Sequence, residues 1–143
     1  IDDAQYDHII CLNLLEHIYN YHNVVQEGFR ILKPGGTFLN FTPFLLAVHG
    51  SPYDFHRYTD SALRRMFEEA GFVVESITPT GYGPLSVCYQ FTYWLVPIAP
   101  LRRLYRWLLV SIDKLLLKWP RYQKIAKNYV MSYLVVARKP LDS

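Results

Sequence analysis

Cysteine is scarce in this chain and charge is unevenly withheld, and each shortage removes a class of protein. Cys11 and Cys88 are the only two cysteines, 77 positions apart, and neither belongs to a CxxC or Cys/His cluster. That argues against a zinc site and a disulfide-stapled fold, and it fits a reducing, cytoplasmic compartment. No charged leader precedes an apolar core at Ile1, so no signal peptide is read there. Internal repeats and low-complexity tracts are absent, which leaves out solenoids and arrays. Charge is missing from Ser76 to Leu101, long enough to raise the question of a membrane span. Pro79, Pro84, Pro97, Pro100, Gly81 and Gly83 interrupt that stretch, and Ser86, Gln90 and Thr92 dilute it, so no transmembrane helix is expected.

What is present is ordinary globular composition, 51% apolar and 19% charged. The formal net charge of +3 hides an asymmetry. From Leu101 to Asn128 eight Lys and Arg face the single Asp113, a balance of +7, which leaves −4 for the rest. Such a basic segment points to anionic partners where it lies on a surface.

Tyr6 to Asn13 reads as a strand, apolar enough to be buried on both faces of a parallel sheet. Leu14 to Leu32 reads as mostly helical, with Val24, Val25, Phe29 and Leu32 at helical spacing and Asn23 as a candidate cap. Lys33-Pro34-Gly35-Gly36 should end that helix by a turn, because a pre-proline residue leaves the helical region and glycine accepts left-handed backbone. Thr37 to Pro43 is the next strand, Thr59 or Asp60 caps a helix stopped by Gly71, and "FVVESITP" is the third strand. "YVMSYLVVARK", residues 129–139, is the fourth. The fold class is therefore α/β with a parallel sheet, formed by residues 1–79 and 129–139. Residues 80–128 are too long for a connection and form a helical insertion or cap. Within it, Leu101 to Trp119 is a basic amphipathic helix: at 100° per residue its six charged positions fall within an arc of about 160°. Leu104, Leu108, Ile112, Leu115, Leu116 and Trp119 lie opposite. That apolar face should pack on the sheet; the alternative is a helix lying on an anionic membrane, or a lid over a lipid-like substrate.

Set side by side, "YDHIICLNLLEH", "VVQEGFRILKPGGTFLNFTPF" and "ALRRMFEEAGFVVESI" resemble the C-terminal half of class I S-adenosylmethionine-dependent methyltransferases, the small-molecule, type 11-like branch. The resemblance covers residues 5 to 78 and resumes at the final strand. It implies that the four strands are numbers four to seven of a Rossmann-like sheet ordered 3-2-1-4-5-7-6, with the last antiparallel. It implies S-adenosylmethionine as cofactor, with Cys11, Leu12, Asn13 and Leu14 forming the wall against its methionine part. The sequence shows no glycine-rich turn leading from a strand into a helix; Gly35-Gly36 runs the other way, from helix to strand. An incomplete domain with weak cofactor binding is expected, and its apolar first strand is an edge prone to self-association.

For the acceptor side, His17 and His49 are the candidate bases, since imidazole titrates near neutrality. "HGSPYDFHRYT" offers Tyr53, Asp54, Arg57 and Tyr58 as substrate-binding residues, Arg57 as a clamp for an anionic acceptor or as the partner of Asp54 in a loop-locking bridge. His17 and His22 are five apart, poor spacing for a shared metal, so no metal is assigned. Methyl transfer to a small molecule through oxygen, its acceptor anionic or lipid-linked, is the leading expectation. The alternative is a non-catalytic membrane-surface or scaffold module using helix 101–119. Nucleic-acid methylation is disfavoured, for no base-reading motif and no Asn-Pro-Pro-Tyr-like step is present.

Overall fold

The computed structural model describes residues 2–50 and 52–142. Four strands and five α-helices follow in the order β1 (Tyr6–Leu12), α1 (Tyr21–Ile31), β2 (Leu32–Pro43), α2 (Asp60–Glu69), β3 (Val73–Thr80), α3 (Pro84–Thr92), α4 (Ala99–Leu116), α5 (Pro120–Ala126) and β4 (Ser132–Arg138). Short 3-10 turns occupy Leu15–His17 and Tyr93–Leu95. The chain divides into two compact units: Ile1–Phe44, His49–Thr78 and Tyr133–Ser143 in the first, Leu45–Val48 and Pro79–Ser132 in the second.

The strands form one sheet in the order β1-β2-β4-β3. β1 and β2 are parallel, His8 opposite Thr37 and Leu12 opposite Phe41. β4 runs against β2, because Lys139 exchanges backbone hydrogen bonds with Gly35 and Gly36 while Tyr133 meets Phe44 at the other end. It also runs against β3, where Arg138 pairs with Glu75 and Met131 N–H donates to the Thr80 carbonyl. This is the order and the antiparallel last strand that the resemblance implies.

In the first unit α1 and α2 cover the sheet. Val25, Leu32, Phe38, Leu63, Phe67 and Val135 are wholly buried, and burying each such side chain contributes about 1.5–3 kcal/mol. Edge-to-face contacts join Phe38 to Phe67 and Phe72, at 5.2 and 5.7 Å between ring centres. Thr59 caps α2 by accepting from Ala62 N–H.

Three local expectations are corrected. Residues 14–32 are mostly helical, as expected, but in two pieces, and the cap is misplaced: Ile18 adopts extended backbone, α1 begins only at Tyr21 with Asn20, not Asn23, at its cap position, and Glu16-His17 sit on a separate turn. Lys33–Gly36 is no free turn but a bulge inside β2, where the register jumps between Tyr6↔Leu32 and His8↔Thr37. Gly35 accommodates it at φ 79°, and its N–H donates to the Lys139 carbonyl. Finally, β1 is not buried on both faces. It is the sheet's outer strand among the described residues, and Ile10 is 69% exposed.

Candidate active site

The carboxyl ends of β1 and β2 converge on a group of polar side chains in the first unit. β1 ends at Leu12, and Asn13 takes left-handed backbone at φ 48° while its N–H donates to the Phe41 carbonyl at 2.8 Å. This turn leaves Leu12, Asn13 and Leu14 exposed, with Cys11 buried behind them. Burial, and next the neighbouring Glu16 charge, push the Cys11 thiol up to about 11, so it is inert packing rather than a nucleophile.

The next turn carries Glu16, completely buried, and His17, partly exposed. One Glu16 carboxylate oxygen accepts from Thr42 Oγ1 at 3.4 Å; the other, Oε1, has no hydrogen-bond partner among the described residues and lies 3.8 Å from His17 Nε2. His17 Nδ1 is 2.6 Å from the carbonyl of Tyr53. A carbonyl can only accept, so Nδ1 carries the proton, and in the neutral ring Nε2 holds a lone pair.

His49 and residues 52–58 fold over this turn through several ties. Phe55 and His56 N–H donate to the Glu16 carbonyl, and the Tyr58 hydroxyl donates to the Leu15 carbonyl at 3.1 Å. Asp54 accepts from both terminal nitrogens of Arg57 and from the His49 backbone N–H. Pairing with Arg57 first, and the His49 N–H next, hold the Asp54 carboxyl well below the usual carboxylate range. Arg57 also reaches His49 Nδ1 at 3.4 Å, and the His17 and His49 rings meet edge to face at 5.3 Å.

The structure thus brings His17, His49, Asp54 and Arg57 together around Glu16. Arg57 is engaged in the bridge to Asp54. Tyr53 contributes its carbonyl, with its ring exposed beside Phe55, whereas Tyr58 is buried and supports the turn from behind. Burial first, then Tyr21 and Glu16, raise the Tyr58 phenol above its ordinary range. His22 is exposed against Tyr21 and stands apart from this group. A different donor set assembles instead: Glu16, His17 and His49 each offer an atom within 4.8 Å of the others, an arrangement able to hold a divalent cation.

Glu16, Asn40 and Thr42 are the residues that sequence reasoning did not single out as site members. For Glu16 the signal was its place beside His17 in "LLEH"; for Asn40 and Thr42 it was the alternation in "FLNFTP", where Phe38, Asn40 and Thr42 share one face of β2 and the two polar residues are fully buried. Neither Asn40 side-chain atom has a hydrogen-bond partner among the described residues, which is uncommon for a fully buried amide.

A methyltransferase-domain family model matches residues 2–77, more than half of the chain. Ubiquinone biosynthesis O-methyltransferase of Thiobacillus denitrificans is 32% identical over 104 residues, 61% of this chain and 45% of that protein. The chain spans less than half the length of such curated relatives. Among solved structures, a putative methyltransferase of Bacillus halodurans superposes with a TM-score of 0.54 at 20% identity, over 98% of this chain and 67% of that one. The [4+2]-cyclase SpnF gives 0.58 at 16% identity, over 99% and 52%. At those identities the structural likeness shows the fold alone. By its family model, its strand order and its α/β architecture, the chain belongs to the class I S-adenosylmethionine-dependent methyltransferases.

Proposed function

We propose that this chain supplies the acceptor side of an S-adenosylmethionine-dependent O-methyltransferase acting on a small hydroxylated molecule. The carrying observation is the 2.6 Å contact of His17 Nδ1 with the Tyr53 carbonyl, which leaves Nε2 as the proton acceptor in the neutral ring. The residues at the end of β1 suit one wall of the cofactor site: Leu12 and Leu14 offer apolar surface and Asn13 an exposed amide. When bound, the cofactor supplies an electrophilic methyl on a sulfonium.

This chain's share of the work is orientation and proton transfer. An acceptor hydroxyl placed against His17 would give its proton to Nε2 as its oxygen takes the methyl and the methyl's bond to sulfur breaks, and the buried Glu16 carboxylate beside that ring would stabilise the imidazolium. The Asp54–Arg57 bridge holds residues 52–58 in place, which keeps Tyr53 aligned with His17. O-methylation in the curated relatives supports an oxygen acceptor here.

Nitrogen-15 spectra should show a His17 ring protonated at Nδ1 and bare at Nε2. In turnover assays reading S-adenosylhomocysteine release against hydroxylated acceptors, His17→Gln should lower kcat about 10²–10⁴-fold, with cofactor affinity unchanged. An unaffected kcat would remove His17 from the chemistry. If chelation alone abolished turnover, the Nε2 lone pair would be serving a cation rather than a proton.

A further inference from the structure

The helical segment of the second unit presents an apolar stripe to solvent. On α4, Leu101, Leu104, Leu108 and Leu115 recur at helical spacing and are exposed, Leu104 at 58% and Leu115 at 59%. Within this unit, the opposite side of α4 is the one that is held. Asp113 is fully buried there, accepting from Leu85 and Ser86 N–H and from the Ser86 and Tyr122 hydroxyls. Tyr105 adds a hydroxyl contact to Thr92 at 2.9 Å and a ring contact to Tyr89. These polar ties fix the rotation of α4, so it cannot roll its leucines inward.

Cations border the stripe. Arg103, Lys114 and Lys118 are exposed along one flank together with Trp107, itself 65% exposed, and the Lys114 ammonium sits over the Tyr82 ring at 4.6 Å. Among the described residues, none of the eight Lys and Arg of positions 101–128 forms an ion pair, and the segment's single acid is the buried Asp113. Trp94 is exposed too, and tryptophan beside cations is the composition favoured at a membrane–water boundary. Among the described residues, no helix is long and apolar enough to cross a membrane.

We infer that α4 docks the protein on an anionic lipid bilayer, lying in the headgroup plane with Leu101, Leu104, Leu108 and Leu115 pressed toward the acyl chains. A second copy of the chain is a poorer occupant: joining two such stripes would bring two sets of unpaired cations together with no exposed acid of the segment between them. A nucleic acid would satisfy the cations and leave the leucines in water. The inference stands independently of the methyl-transfer reading.

Vesicle sedimentation of the full chain tests it. Vesicles of phosphatidylcholine with roughly one-third phosphatidylglycerol should bind it at low salt, high salt should release it, and pure phosphatidylcholine should bind far less. Replacing Arg103, Lys114 and Lys118 together by Gln should weaken partitioning about a hundredfold, at about fivefold per cation. Leu104→Ser with Leu108→Ser should abolish the blue shift of Trp107 fluorescence, read in a chain with Trp94 and Trp119 changed to Phe. All substituted positions are exposed or half-buried, and circular dichroism should confirm an unchanged fold. Equal binding to neutral and anionic vesicles, undiminished binding by the triple variant, or self-association without vesicle binding would each overturn the inference.

Discussion

Asp113 shows what a single residue can demand. Its carboxylate takes the place of a helix cap for α3: Pro84 begins that helix without a donor, and the next two backbone N–H groups, of Leu85 and Ser86, point at Asp113. Gly83 precedes it at φ 142°, and a Cβ there would lie 3.0 Å from the same carboxylate, so both conformation and space require glycine. Asp113→Ala would take the acceptor from four donors, the Leu85 and Ser86 N–H groups and the Ser86 and Tyr122 hydroxyls, and should destabilise the second unit by about 3 kcal/mol. Asp113→Asn keeps one acceptor and should cost less. Amide hydrogen exchange at Leu85 and Ser86 is the direct measurement, expected to accelerate in the Ala variant; unchanged protection would refute the capping role.

At the scale of elements, the contact of α1 with β2 depends on Gly28. A Cβ there would collide with the Phe38 ring, which is buried and held edge to face by Phe67 and Phe72. Glycine in a helix interior costs about 1 kcal/mol relative to alanine, so the close approach must be worth more than that. Gly28→Val should destabilise the first unit by about 1–3 kcal/mol through overpacking, seen as a lower denaturant midpoint with an unchanged slope. Element types were legible because periodicity and capping are local: Thr59, with its downstream amide at Ala62, marks α2 in sequence and in space alike. The bulge at Lys33–Gly36 was not legible. Its glycines announce a turn, and only pairing with β1 and β4 decides that the turn stays inside a strand.

At the scale of the molecule, alkali destabilises both units through acids that the fold keeps protonated. Cys11 is pushed up to about 11 by burial and then by Glu16, Tyr58 is raised by burial and then by Tyr21 and Glu16, and Tyr122 by burial and then by its bond to Asp113. Each loses its proton more readily when unfolded, so stability is intact below pH 9, the ordinary thiol value, and falls as pH rises toward 11. Urea midpoints measured across that window should decline, and Cys11→Ala should flatten the decline; a flat wild-type profile would contradict it. The sequence by itself determined the alternation of strands and helices, the turn chemistry, the basic segment and the family, because these are written in neighbouring residues. Tertiary structure alone decided that residues 16, 17, 42, 49, 54 and 57 share one site, since loop and strand ends meet only when the sheet is assembled. It also decided which side of α4 faces water: an amphipathic pattern specifies two faces and leaves to the buried contacts of Asp113 which of them is turned inward.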